Sequence, residues 1–476
     1  MKTEATHEQP TLWLLSLPFA SSLVRSGRFL RRAFVAVGLL SPVVLTYIYI
    51  RHYGINVPFW DQWSFLEFLQ KWSMHTATLA DLVEQHNEHR IVFPRLIMTG
   101  LAAVTSYNTL AEMYLGWMCV CATTLVIFFM YRKTVKISDI TLIQFIPVVA
   151  LLFSWRQVEN WLWGFQLGFF LPLSLVLCCF ALIELSEALG FYFLGAVITA
   201  GIASFSLASA LSVWPIGLWQ LWRKERSRNT KHTKAAYKMT WSWGLIGAGA
   251  LGLYLLGYNK PAHHPSLAYS LEYPRAAFLF FLAVLGSPLC VDRYSAITTG
   301  LLLLLSGVYA YAANRPKLFS LNSFWDALVA FAICSAVLLV AGRASLGLEQ
   351  ALAPRYTTFV ILGLIGLYVR LLMLASDRQF LNIFAYGLLS AFIAQGIFIS
   401  LEYGIDEARV TQGKREKAVY ILQTLSERSD EEIKKYLFPE PAAVRRLAPF
   451  LEAQRLSIFA ANKSQTDTAL PRTQSK

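Results

Sequence analysis

The chain has 476 residues, of which 56% are hydrophobic and only 15% charged, and its formal charge is +13. Soluble domains carry roughly 25% charged residues, so the shortfall excludes an ordinary soluble enzyme. The apolar residues are grouped in blocks of about 17–22, the length that crosses a roughly 30 Å hydrocarbon core at 1.5 Å per residue. These blocks lack the polar stripe of a soluble core helix, and the mean hydropathy of +0.47 agrees. The expected fold is therefore all-α and polytopic, with about eleven transmembrane helices, twelve being the alternative count.

Basic residues gather between the blocks: Arg25, Arg28, Arg31 and Arg32, then Arg132, Lys133 and Lys136, then the run from Arg223 to Lys238. That placement follows the positive-inside rule rather than phosphate readout. It sets nucleic acid aside as a partner and leaves the lipid bilayer as one. The six cysteines lie in or beside apolar runs without zinc-ligand spacing, and read as small apolar residues.

Residues 1–32 form a basic N-terminus expected in the cytoplasm, and the first block, Ala33–Ile50, reads as a retained anchor. The transmembrane domain is expected over 33–400. Its outer loop, 51–108, mixes aromatics with charges, as amphipathic helices lying on a membrane surface do. Blocks two to four follow at Thr109–Tyr131, Ile140–Phe153 and Leu167–Leu185. Blocks five and six, Gly190–Phe205 and Ser206–Trp222, form a hairpin turning near Ser204, and block seven is Thr240–Gly257.

Ala276–Cys290 is too short for a full crossing and contains Gly286-Ser-Pro288, which predicts a re-entrant or broken segment. Blocks eight to eleven lie at Ala296–Ala313, Phe324–Ala341, Thr357–Ala375 and Phe380–Ser400. With Ala276–Cys290 re-entrant, the loop Gly342–Arg355 and the C-terminal region share the outer side with loop 51–108. Residues 401–460 read as a soluble helical appendage. One helix covers Glu407–Glu427, a second is opened by the capping sequence Ser429-Asp-Glu-Glu432 and ended by Pro439 and Pro441, and a third covers Val444–Leu456. Residues 461–476 read as a disordered tail.

Ionisable residues at or just above membrane depth are costly and by default mark function. Here they concentrate in four outer-loop clusters. In Pro58-Phe-Trp-Asp-Gln-Trp63, Asp61 sits between Trp60 and Trp63, residues of the interfacial belt. Its carboxylate is a candidate general base; the plainer reading is a helix N-cap opening the amphipathic run Gln62–Trp72.

In Gln85-His-Asn-Glu-His-Arg90, His86 and His89 fall three apart on a helix with Glu88 beside them. That is a candidate divalent-cation site lacking His-Glu-x-x-His spacing and a third ligand nearby. Asn87, Glu88, His89 and Arg90 equally suit an anionic headgroup. In the third cluster Arg156, Gln157, Glu159, Asn160 and Gln166 stand among Trp155, Trp161 and Trp163. Such aromatic walls suit stacking on pyranose faces, with an ordinary aromatic belt as the alternative. The fourth holds Arg343 and Arg355 with Tyr356, two guanidiniums suited to a phosphate or diphosphate, or to snorkelling. His263 and His264, in the loop after block seven, could add acid–base capacity.

Together these features resemble the GT-C superfamily of membrane glycosyltransferases. The resemblance is carried by the polytopic body, the large first outer loop with surface helices and Asp61 soon after the first span, and the later Arg343 and Arg355-Tyr356. Over most of its length the chain also resembles a set of uncharacterised bacterial inner-membrane proteins with Trp-Asp-Gln-Trp, Asn-Glu-His-Arg and Glu-Asn-Trp-Leu-Trp-Gly-Phe-Gln segments.

The first resemblance implies sugar transfer from a polyprenyl-phosphate-type donor to an envelope glycan or lipid acceptor, on the outer face of the bacterial cytoplasmic membrane. It implies Asp61 as the base, Arg343 and Arg355 against charge on the leaving phosphate, and Trp60, Trp63 and Trp163 around the sugar. Several branches carry paired acidic residues where this chain has Asp61 followed by Gln62, which leaves a divalent cation as an optional cofactor. The rival expectations are a transporter or flippase, or a non-enzymatic component of polysaccharide assembly. Scarce mid-span charge and one-sided polar clusters favour the enzyme.

Overall fold

The structure is a computed structural model and describes residues 18–227, 233–260, 269–313 and 323–462. Residues 1–17, His263 and His264, Arg315 and Lys317, and the tail beyond 462 lie outside the described residues.

Hydrocarbon offers no partner to an open backbone N–H or C=O, so a spanning chain closes its hydrogen bonds within helices. The apolar blocks do so: α1 (Pro18–Tyr53), α5 (Thr109–Thr134), α6 (Asp139–Leu152), α8 (Leu167–Leu185), α9 (Phe191–Ser204), α10 (Val213–Ser227), α11 (Thr233–Leu255), α14 (Arg293–Ala313), α15 (Ser323–Arg343), α16 (Pro354–Ala375) and α17 (Phe380–Gln423). Each of the eleven expected blocks is thus a helix, and among the described residues eight helical runs, with α6 continuing through α7 as Asp139–Trp161, are long and apolar enough to cross a membrane. The protein is an all-α, multi-pass membrane protein.

Shorter helices fill the connections: α2 (Asp61–Ser73), α3 (Leu79–Val83), α4 (Val92–Thr105), α7 (Val158–Trp161), α12 (Tyr269–Glu272) and α13 (Pro274–Gly286), then α18 (Asp430–Tyr436) and α19 (Pro441–Ala453). Among the described residues the regular exception is a two-stranded hairpin, β1 (Gln85–His86) with β2 (His89–Arg90).

α16 is apolar around most of its circumference, and nearly its whole length is buried. A helix hydrophobic all round belongs in the middle of a bundle, and α16 packs against α6, α14, α15 and α17. The connections 54–108, 153–166, 205–212 and 344–353 meet at one end of that bundle. Val92 donates to the Phe205 carbonyl at 2.9 Å, and Asn160 Nδ2 donates to the Arg355 carbonyl at 3.2 Å.

α13 has 13 residues, about 20 Å at 1.5 Å per residue and short of a hydrocarbon core. Both of its flanks are held at the end where the loops meet. Before it, Ser270 Oγ donates to the Val340 carbonyl at 3.3 Å, near the end of α15. After it, the Cys290 carbonyl accepts from Arg156 Nε at 3.2 Å. Both flanks of α13 therefore make their contacts at the loop end of the bundle. α13 and α14 approach until backbone meets backbone, because Gly286 and Gly300 have no Cβ to collide with the Ala296 and Leu282 carbonyls.

The boundary expected at 400/401 is not a break. α17 runs on for 44 residues, about 66 Å, roughly twice what a crossing needs. Its far half carries α18, opened by the predicted Ser429–Glu432 capping box, and α19. These elements do not stand apart. Ala418, Ile421, Leu422, Ile433, Val444, Leu447 and Leu451 form a hydrophobic core with Trp63, Phe65, Leu66 and Leu69 of α2 and Met98 of α4. The inner face of α2 is thus covered by protein, where the sequence suggested a helix lying on lipid. The loop and the C-terminal helices are joined at one end of the bundle. An impermeant maleimide is therefore expected to label single cysteines introduced at Glu67 and Arg446 from the same side of the membrane, and one at Lys133 from the other. Labelling of the first two from opposite sides would overturn the arrangement.

Candidate functional site

Asp61 is the first residue of α2, and Trp60 rather than Asp61 holds the N-cap position. Phe59–Gln62 form a tight turn in which the Gln62 N–H donates to the Phe59 carbonyl at 3.1 Å. Trp60 lies there at φ 49°, ψ −121°, the second position of a type II′ turn, which strongly prefers glycine. A non-glycine residue in such a region costs of order 1–3 kcal/mol and persists only when its surroundings over-determine it. The consequence is directional: the Asp61 carboxylate faces His86, with Oδ2 3.7 Å from Nε2.

The segment 85–90 was expected on a helix, with its histidines on one face. It is instead the β1–β2 hairpin, turned by Asn87 at φ 50°, a left-handed conformation asparagine tolerates well. The pairing sets His86 opposite His89, so cross-strand neighbours bring the imidazoles together in place of helical spacing. His89 Nδ1 accepts the Ala208 N–H at 3.2 Å, which leaves the proton of the neutral ring on Nε2, 3.8 Å from Glu88 Oε1. Burial, the largest influence, pushes His89 below the ordinary histidine range, against the pull of Glu88. Among the described residues no group of three or more His, Cys, Asp or Glu is placed to hold a metal ion.

Arg90 was expected at a headgroup. Its guanidinium is buried and bonded to the carbonyls of Val83, Tyr254 and Leu256, so it ties the hairpin to the end of α11.

The two expected phosphate-gripping arginines are each matched to a carboxylate. Arg343 Nη2 lies 2.9 Å from Glu88 Oε1, and its Nε donates to the Tyr356 hydroxyl at 3.4 Å. Arg355 Nη1 lies 2.6 Å from Glu159 Oε1. These pairs join the second cluster to the fourth and the third to the fourth, while Asp61 and His86 join the first to the second. The four sequence clusters are one polar layer.

Inside that layer several members are structural. Gln157 spans the Leu152 carbonyl and the Thr358 hydroxyl, and Asn160 Nδ2 donates to Thr358 Oγ1 at 2.7 Å. Gln166 is buried, and its Oε1 has no hydrogen-bond partner among the described residues. Of the tryptophans expected around a sugar, Trp63 is 0% exposed inside the core shared with the C-terminal helices and Trp163 is 6% exposed. Trp60, at 45%, is the one of the three that presents a face.

A cavity of about 430 Å³ opens beside the layer. Glu88, His89, Arg343, Tyr258, Lys260 and Tyr356 line its polar part, and Phe169, Leu211, Leu338, Leu339 and Phe359 its apolar part. Ser209 and Ser335 also line it, each with a buried hydroxyl that has no hydrogen-bond partner among the described residues. Sequence reasoning missed Ser335, Tyr258 and Lys260. The signal for the first was present: Ser335, Leu339 and Arg343 recur every fourth residue, one face of α15.

No protein-family model and no solved structure matches the chain. A protein of Archaeoglobus fulgidus described as uncharacterized is 29% identical over 217 residues, covering 40% of this chain and 53% of its own length. The chain thus spans about half the length of the relative it matches.

The half-buried His89 gives a pH dependence of definite sign. The unfolded chain takes up a proton near the ordinary histidine pKa of about 6.5, and the folded chain resists it. Stability from this residue is complete above that value and is lost as pH falls through it. The melting temperature in detergent should fall between about pH 7 and 5, and less steeply in His89→Gln. An identical slope in the variant would show that His89 is not the source.

Proposed function

We propose that this chain is a membrane glycosyltransferase that moves a sugar from a polyprenyl-phosphate-type donor to an envelope glycan or lipid acceptor, at the outer face of the bacterial cytoplasmic membrane. The observation that carries the reading is the cavity. It couples an apolar wall between helices to a polar end of Arg343, Lys260 and Tyr258, in the layer that holds Asp61 and His86. An amphiphile with an anionic head matches both parts.

In this reading the Asp61 carboxylate takes the acceptor hydroxyl's proton as that oxygen bonds to the anomeric carbon. The carbon–oxygen bond to phosphate breaks, and the phosphate leaves with the electron pair. Arg343 stabilises the growing charge, its pairing with Glu88 setting its position. Arg355, held by Glu159 over the Tyr356 ring, supports the same wall. Trp60 is the aromatic face available to a sugar.

A transport reading has one observation in its favour. Arg223, Asp326 and Arg370 form a charged group joining α10, α15 and α16, with both arginines buried, so buried charge is not confined to the loop end.

The test is analysis of surface glycans and lipid-linked intermediates in a deletion strain complemented with wild type or Asp61→Asn. A lost general base costs about 10²–10⁴ in rate, so the variant, inserted at wild-type level, should leave the donor unused. Full transfer by Asp61→Asn would sink the reading. Unchanged glycans with a changed sidedness of a lipid-linked intermediate would favour transport.

A further inference from the structure

The turn that carries Asp61 is gripped from outside by residues far apart in the chain. Gln62 bridges it, Oε1 accepting the Phe59 N–H at 3.2 Å while Nε2 donates to Glu112 Oε2 at 2.7 Å. Glu112 stands in the first turn of α5, 1% exposed, and its other oxygen is buried without a hydrogen-bond partner among the described residues. The Trp60 N–H donates to the Leu437 carbonyl, just past α18, at 2.9 Å. Arg415 of α17 lies over the Phe59 ring, and Trp163 Nε1 donates to the Phe59 carbonyl at 3.2 Å. Further out, Arg446 pairs with Glu67 of α2, and the Ser457 N–H donates to the Ser106 carbonyl at 2.8 Å.

We propose that Glu112 and the C-terminal helices form a positioning clamp, which holds the Phe59–Gln62 turn in its strained form and so keeps Asp61 facing His86. A tryptophan freed from these contacts returns to negative φ, as L-residues do, and the peptide plane ahead of Asp61 turns with it. The carboxylate then leaves His86. Glu112 and Arg415 touch no reacting atom; they act through the turn. This makes the C-terminal helices part of the site's framework rather than an appendage. The catalytic consequence rests on the proposed transfer reaction, whereas the clamp itself is a statement about the turn.

The experiment uses the full-length protein in nanodiscs, with Glu112→Leu, Glu112→Gln and Arg415→Ala. Hydrogen exchange is read over the peptide containing Phe59–Trp63, and kcat and KM are measured for transfer. Glu112→Leu removes the acceptor for Gln62, so exchange at the turn should rise about tenfold with none in α14, since local opening reports lost contacts. Turnover should fall about tenfold or more with KM little changed, the signature of lost positioning rather than lost binding.

Glu112→Gln keeps an acceptor oxygen and should match wild type in both readouts. Arg415→Ala, on a different side of the turn, should repeat the effects of Glu112→Leu and decides the matter if that variant fails to fold. Unchanged exchange in Glu112→Leu and Arg415→Ala overturns the clamp, as does Glu112→Gln behaving like Glu112→Leu. The exchange measurement stands whether or not Asp61→Asn retains transfer, so failure of the reaction and failure of the clamp are distinguishable.

Discussion

A chain in hydrocarbon must satisfy its backbone from within, and the rest of this structure follows from that demand. It makes each apolar block a helix and leaves side-chain chemistry to the connections. It also bears on the short α13, whose C-terminal part and following turn to Cys290 are buried, with Gly286 and Gly300 crossing against α14. Polar residues placed at such a depth must then find partners in other connections, because water is scarce there and an unpaired group is costly.

That second demand builds the polar layer. Glu88 with Arg343 and Glu159 with Arg355 each join two loops separated widely in sequence. Each pair cancels charge that would otherwise be held in a partly buried site. The arginines therefore do not form a bare cationic grip. A phosphate reaching Arg343 meets a guanidinium whose orientation is already set by a carboxylate, which lowers the ordering cost of binding and also the net attraction. Lys260, on the cavity wall, adds positive charge where the paired arginine adds direction.

The helices were legible because hydropathy is a local property, and a block of apolar residues needs no knowledge of its neighbours. The Ser429–Glu432 capping box was legible for the same reason. The hairpin at Gln85–Arg90 was not, since its turn depends on Asn87 taking a left-handed conformation and six polar residues carry no period to reveal it. Nor could the sequence separate Trp60 from Trp63. Both flank Asp61 within the same motif, yet one is exposed and the other lies under helices from the far end of the chain. The candidate site was recognised as a set of clusters, and its pairings were invisible, because which arginine meets which glutamate is decided by packing. Arg90 shows the cost: a charged loop residue that looked like a ligand for lipid is a cap on α11.

The same constraint is met differently in the group formed by α10, α15 and α16. There Asp326 lies between Arg223 and Arg370, both buried. Forming such a group requires desolvating two guanidiniums and part of a carboxylate, so its net stabilisation is small, whereas removing Asp326 leaves two buried charges unmatched and is the costlier change. That asymmetry penalises any arrangement in which the three helices shift and separate the charges. α15 and α16 are also the helices that present Arg343, Arg355 and Tyr356. Fixing their register near Asp326 fixes the height at which those side chains emerge, since a helix transmits an axial position along its length at 1.5 Å per residue. An ion group that adds little to stability thus sets the geometry of a layer it never touches.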